Sequence, residues 1–120
     1  MPSGMGGCTP RVILSRDLGP ADWILDPALP TPAPDAMELH VLVWELACDG
    51  GGLVTGRIAD PAIAYGPTSV AITLNVRPLS LPATCPLGPG TQFVVHLSEP
   101  LGGRTILDGG RGPPAPPTGP

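Results

Sequence analysis

Two cysteines stand where an apolar stretch gives way to a glycine- or proline-rich turn: Cys48 in "ELACDGGG" (45–52) and Cys85 in "ATCPLGPG" (83–90). A thiol can form a disulfide, bind a metal, or act as a nucleophile or redox centre. A bond between these two, 37 positions apart, contributes about 3.8 kcal/mol on a chain-entropy account. That is a large share of the roughly 5–15 kcal/mol that holds a small domain together. Half-cystines beside strand ends are the arrangement of small exported β-domains, so a Cys48–Cys85 disulfide is expected. Two buried free thiols in a cytosolic protein are the other reading. The third cysteine, Cys8, follows Gly7 as in a lipoprotein processing site, but the residues before it are no apolar leader.

A metal reading has little to build on. There is no Cys-x-x-Cys, and His40 and His96 lack a second ligand at i+2 or i+4. No cofactor is expected. Catalysis needs a positioned nucleophile, or titratable groups whose environments drive their pKa values apart. The acids in question are Glu45, Asp49, Asp60, Glu99 and Asp108, and no nucleophile elbow, phosphate loop or paired-carboxylate motif accompanies them. Glu45, beside Trp44 on the most apolar stretch, is the one acid expected to lose water. A strand-end acid facing solvent or an arginine is its plainer role. In "EPLGGRTILDGG" (99–110), Arg104 and Asp108 are expected to pair and organise the last turn. The chain reads as non-catalytic.

The loop "LSLPATCPLGPG" (79–90) is the best candidate for binding, through Leu81, Pro82, Ala83, Thr84, Pro86 and Leu87. Proline and a disulfide would leave it little entropy to lose on meeting a protein. Protease inhibitors exploit that device, which makes inhibition an alternative. The plainer reading is a crossover between two sheets.

The elements that must position these residues are strands. No long window carries apolar residues at helical spacing without a proline or paired glycines breaking it. "ELHVLVWELAC" (38–48) is apolar on both of its alternating sets, as in a central strand covered on each side. In "SVAITLNVRPL" (69–79), Val70, Ile72, Leu74 and Val76 alternate with Ala71, Thr73, Asn75 and Arg77, the pattern of a sheet with one wet face. "TQFVVHL" (91–97), "RTIL" (104–107), "PAIAY" (61–65), "LVTGRI" (53–58) and "RVILS" (11–15) complete the set. The five-proline region 19–36 is expected to run extended along the surface, pinned by Trp23 and Ile24.

Short strands with regular turn signals predict an all-β fold, a compact antiparallel β-sandwich of six or seven short strands. Its core is expected from Leu39, Val41, Leu42, Val43, Trp44, Leu46, Val70, Ile72, Leu74, Val76, Phe93, Val95, Leu97 and Ile106. Glycine (17) and proline (19) are abundant and concentrate at the two ends. Residues 1–18 therefore read as a flexible segment with a candidate short strand at 11–15, residues 19–108 as the domain, and residues 109–120 as a disordered, Pro/Gly-rich tail.

Charge narrows the partners. The net charge is −4, there is no lysine, and the six basic residues are scattered arginines. They make no track for phosphates, so no nucleic acid is expected. The longest charge-free stretch, 78–98, is broken by prolines and makes no membrane span. With few aromatics, another protein is a better partner than a stacked sugar. No signal peptide is visible at Met1.

The order "WILDPALPTPAPDAMELHVLVWELACDGG", "GRI", "VAITLNVRPL", "CPLGP" and "VVHLSEPLGGRTILDGG" resembles a small uncharacterised β-rich, two-cysteine module of bacterial exported proteins and lipoproteins. The resemblance covers Trp23 to about Pro114. It rests on Cys48-Asp49-Gly50-Gly51, Arg57, Cys85-Pro86 and the close from Glu99 to Arg104. The chain departs from that pattern at Leu87-Gly88, where a glycine-asparagine pair is usual, and in lacking a leader. The resemblance implies a disulfide-bearing domain of the envelope and brings no activity. Together these readings give a non-catalytic accessory or protein-binding module, extracellular or of the bacterial cell envelope. The alternatives are a protease-inhibitor-like protein and an intracellular, cytoplasmic β-domain with a Cys/His metal or redox site.

Overall fold

Period-two alternation becomes seven strands in the computed structural model, which describes residues 11–79, 83–86 and 88–120. In chain order they are β1 (Gly19–Leu25), β2 (Glu38–Glu45), β3 (Ala62–Tyr65), β4 (Ser69–Thr73), β5 (Asn75–Val76), β6 (Thr91–His96) and β7 (Thr105–Asp108). Among the described residues there is no helix, and none of the elements is a helix long and apolar enough to cross a membrane. The fold is all-β. One sheet has the order β5-β1-β2-β6 and the other β3-β4-β7. All pairings are antiparallel except β4 with β7, which run parallel.

Register explains the core. Trp23 stands opposite Val43, Leu25 opposite Val41, Val41 opposite Phe93 and Leu39 opposite Val95, so these residues share one face of the larger sheet. Directly opposed apolar side chains are the unit of sheet stabilisation. From the second sheet Val70 and Ile72 enter the same apolar cluster, joined by Leu74, Val54, Leu97 and Leu101. Trp23 is 0% exposed.

Three differences from the sequence reading have physical causes. The stretch 19–25 is a central strand between β5 and β2, and Trp23 lies deep in the core instead of pinning a surface segment. Its strand length, Gly19–Leu25, ends before the prolines begin to accumulate. The stretch 69–76 does not keep one wet face. It leaves the smaller sheet at Thr73, passes through buried Leu74, and enters the larger sheet as β5, so Thr73 and Asn75 are buried. Asn75 is satisfied there: its Oδ1 accepts from the backbone N–H of Leu14 at 2.6 Å, and its Nδ2 donates to the carbonyls of Leu74 at 2.9 Å and Val12 at 3.3 Å.

Third, β2 is apolar on both sets but buries only one fully. Leu42 and Trp44 stay half-buried on the outer row, Leu46 is 40% exposed, and Phe93 and Ile106 pack at the margin of the core. The stretch 53–58 forms no strand. It supplies buried Val54 and a single bridge from Ile58 to Val76, and Arg11 bridges Arg111 in the same isolated way.

This placement separates two leucine-sized side chains that sequence alone puts in one class. Ile72→Ala is expected to cost about 2–5 kcal/mol, and Leu46→Ala about 0.5 kcal/mol or less, in urea denaturation. Equal costs would contradict the register described here.

Candidate functional site

The turn after β2 is built by its own residues. The Asp49 carboxylate accepts from the backbone N–H of Gly51 at 3.0 Å, closing an Asx turn. Gly50 and Gly51 follow with φ of 76° and 77°, a region in which a side chain would meet the backbone. The N–H of Gly50 donates to the carbonyl of Thr84 at 2.8 Å. Beside that bond Cys48 and Cys85 form a disulfide. Gly88 lies so close to Gly51 that a Cβ there would run into the Gly51 backbone, and its carbonyl accepts from the Trp44 indole N–H at 2.9 Å. One covalent bond, one backbone hydrogen bond and one indole hydrogen bond thus fasten Thr84, Cys85 and Gly88 to the end of β2 and its turn.

Of the candidate binding loop, Ala83, Thr84 and Pro86 are exposed. Leu81, Pro82 and Leu87 lie outside the described residues. The bonded cysteines are a scaffold for this end of the molecule.

Glu45 does lose its water: its side chain is 1% exposed. Its Oε1 lies 2.8 Å from the Arg57 guanidinium, which also donates to the carbonyl of Arg77 at 2.8 Å and reaches Asp49 at 4.0 Å. Arg57 is aimed by a turn in which its N–H bonds the Val54 carbonyl at 2.9 Å. A buried carboxylate with a single cation against it is charge compensation. Trp44, Glu45, Asp49, Cys85, Pro86 and Gly88 line a cavity of about 150 Å³ at this end, with Pro120 at its side. It has room for a small side chain. It offers acceptor oxygens and an aromatic wall, and no nucleophile stands beside a base.

A second cluster went unseen in the sequence. Asp22 of β1 and Asp108 at the end of β7 are both buried, and two arginines from the flanks converge on them. Arg11 lies 2.7 Å from Asp22 and 3.6 Å from Asp108. Arg111 lies 3.5 Å from each. Several of these contacts are close without being aligned as hydrogen bonds, including the Trp23 indole nitrogen that faces Asp108. Burial pushes the Asp108 carboxyl above the ordinary aspartate value. The Gly110 N–H, Trp23 and the two arginines pull against that shift. The available signal was an acid inside an apolar run, Asp22 within "ADWIL".

Arg104 does not pair with Asp108. Its Nε donates to the Gly66 carbonyl at 2.8 Å, its Nη1 to the Pro100 carbonyl at 3.1 Å, and its Nη2 meets Glu99, with the guanidinium 5.4 Å above the Tyr65 ring. It organises the loop before β7, while Asp108 turns to the opposite flank. His96 stands across from Glu38 in exposed register, its Nδ1 3.2 Å from the carboxylate, and His40 is exposed on β2. Among the described residues no group of three or more His, Cys, Asp or Glu is placed to hold a metal ion.

Comparison with family models, with curated proteins and with solved structures gives no match for this chain.

Replacing both bonded cysteines by serine is expected to lower stability by about 3.8 kcal/mol on the chain-entropy account, matched by adding reductant to the wild type. A loss below about 1 kcal/mol would mean that the remaining contacts at this end suffice. For Asp108 the sign is fixed by its raised native value. The proton is bound more tightly in the folded state, so the stabilisation is full below the unfolded value, about pH 4, and is lost as the pH rises through the native one. Asp108→Asn mimics the protonated form. Its stability relative to wild type is therefore expected to improve from pH 4 to 7 in parallel denaturation series. A wild-type advantage that grows with pH would show that the arginines dominate.

Proposed function

We propose that the chain is a non-catalytic accessory module that binds another protein, working outside the reducing cytosol at the bacterial cell envelope. The observation that carries this reading is the disulfide-fastened end of the molecule. There an exposed stretch, Ala83, Thr84 and Pro86, is held against the Asp49–Gly51 turn. Disulfides persist in oxidising compartments. A stretch stiffened before binding loses less entropy on contact. The resemblance to the two-cysteine exported module agrees on the compartment.

Stiffness at an exposed, disulfide-adjacent stretch also favours a second reading, a protease-inhibitor-like protein. The two readings differ in outcome: an inhibitor blocks a protease at equimolar amounts and survives it intact.

The test is fractionation of the native source with thiols alkylated before lysis. Envelope or culture-fluid recovery with Cys48 and Cys85 unalkylated is expected. Cytosolic recovery with both alkylated would overturn the envelope reading. Thr84→Arg, at an exposed position, is expected to leave stability within about 0.5 kcal/mol of wild type while weakening capture of the partner by tenfold or more. Unchanged capture would move the binding surface elsewhere.

A further inference from the structure

The stretch after β7, "GGRGPPAPPTGP" (109–120), lies against the sheets. Its entry is tight. Gly109 donates to the Ile72 carbonyl at 2.8 Å, and a Cβ on it would come within 2.5 Å of the Thr73 hydroxyl. Asp108 then donates its N–H to the Ala115 carbonyl at 2.7 Å, an antiparallel bridge. From there Ala115, Pro117 and Gly119 are half-buried while Pro116, Thr118 and Pro120 are exposed. An extended segment laying every second residue on a surface gives that alternation.

Two further contacts fix the end. The Arg111 guanidinium donates to the Thr118 hydroxyl at 2.7 Å. Gly119, with φ of 72°, sits where a Cβ would be 2.9 Å from Ile24 Cγ2 and 3.6 Å from the Trp44 ring. Asp22 pairs with Trp44, and Ile24 with Leu42, in the β1–β2 register, so this row is the outer face of the larger sheet.

The chemistry of this contact is unlike sheet addition. Prolines at 113, 114, 116, 117 and 120 carry no N–H. The seat asks little of the backbone, offering the Ile24 side chain, the Trp44 ring, and one arginine donor for a hydroxyl. The Trp44 N–H is already engaged by Gly88. Aromatic-lined surfaces of this kind take up extended proline-rich segments, which are partly ordered before they bind.

We propose that the Ile24–Trp44 strip and the neighbouring cavity form a binding site for an extended proline-rich segment, with a hydroxyl residue near its end. The chain's own 113–120 segment fills the site, and a partner protein's segment takes it by displacement. The contact in cis acts as a built-in competitor, since a tethered segment presents itself at roughly millimolar effective concentration. The site adjoins the exposed stretch at 83–86, because Cys85 and Pro86 line the same cavity, but peptide binding read at Trp44 tests it separately from capture through Thr84. It does not depend on the compartment.

The experiment uses the full oxidised chain and a free peptide of sequence PPAPPTGP, with Trp44 emission as the readout, because Trp23 is fully buried. Gly119→Val places a branched side chain against Ile24 and Trp44 and is expected to dislodge the segment. Thr118→Ala removes the arginine contact without touching the backbone, and covers the case in which the first variant fails to fold. Either variant is expected to bind the peptide at least about tenfold more tightly than wild type, given the loss of the competitor. A peptide with the prolines replaced by serine is expected not to bind.

Folded variants that ignore the peptide, or that bind the serine peptide equally, would overturn the proposal and leave the segment a structural strap. Concentration-dependent dimerisation of wild type with segments exchanged would also overturn it, making a second copy the occupant. None of these outcomes bears on where the protein resides, which the thiol-trapping measurement decides.

Discussion

A carboxylate set into an apolar strand has to be answered by something, and the rest of this structure follows from how Asp22 is answered. Asp22 lies in β1 beside Trp23, between the strands that define the larger sheet, with almost no access to water. Asp108 reaches the same place from β7 of the other sheet. Neither sheet supplies a cation, so both come from outside the strands, Arg11 from before β1 and Arg111 from after β7. Uncompensated buried charge costs several kcal/mol. The segments carrying the two arginines are therefore drawn back onto the fold, where Arg11 bridges Arg111 and Val12 donates to the Gly110 carbonyl.

One register position away, where β2 ends beside Ala21, the same problem has a covalent neighbour. Glu45 is buried as β2 ends, Arg57 answers it, and the disulfide beside it fixes the turn that keeps the pair closed. Glycine at 51 and 88 allows two backbones to approach more closely than side chains would permit. Asp22 and Glu45 stand one register position apart on β1 and β2 and are met by three arginines, Arg11 and Arg111 at Asp22 and Arg57 at Glu45, while a fourth, Arg77, holds Arg57 in place through the Gly56 and Arg57 carbonyls.

What could be read from sequence was the local part. Alternation at 69–76 and 91–96 and the double apolar set at 38–45 located strands, and turn-flanking positions suggested the Cys48–Cys85 bond. What failed was non-local. Trp23 looked peripheral because prolines crowd the residues after it, yet strand pairing on both sides buries it. Asn75 looked solvent-facing because alternation cannot reveal a change of sheet. Asp108 was matched to Arg104, four residues before it, whereas the fold sets it against Arg111, three residues after it, and against distant Arg11. The parallel pairing of β4 with β7 carries no local signal at all. The Ile24–Trp44 strip was invisible for a related reason: its occupant is a proline-rich stretch whose composition suggests solvation.

The passage of one short stretch from β4 through Leu74 into β5 has a consequence for how the molecule comes apart. A hinge of one buried residue cannot let one sheet open while the other stays shut, since the same eight residues, 69–76, carry hydrogen bonds in both. Loosening either end strains the other before a ladder is broken. The two sheets thus form one cooperative unit. Amide protons at the centres of β2 and β4 should be released together, on the timescale of global unfolding and not of local fraying.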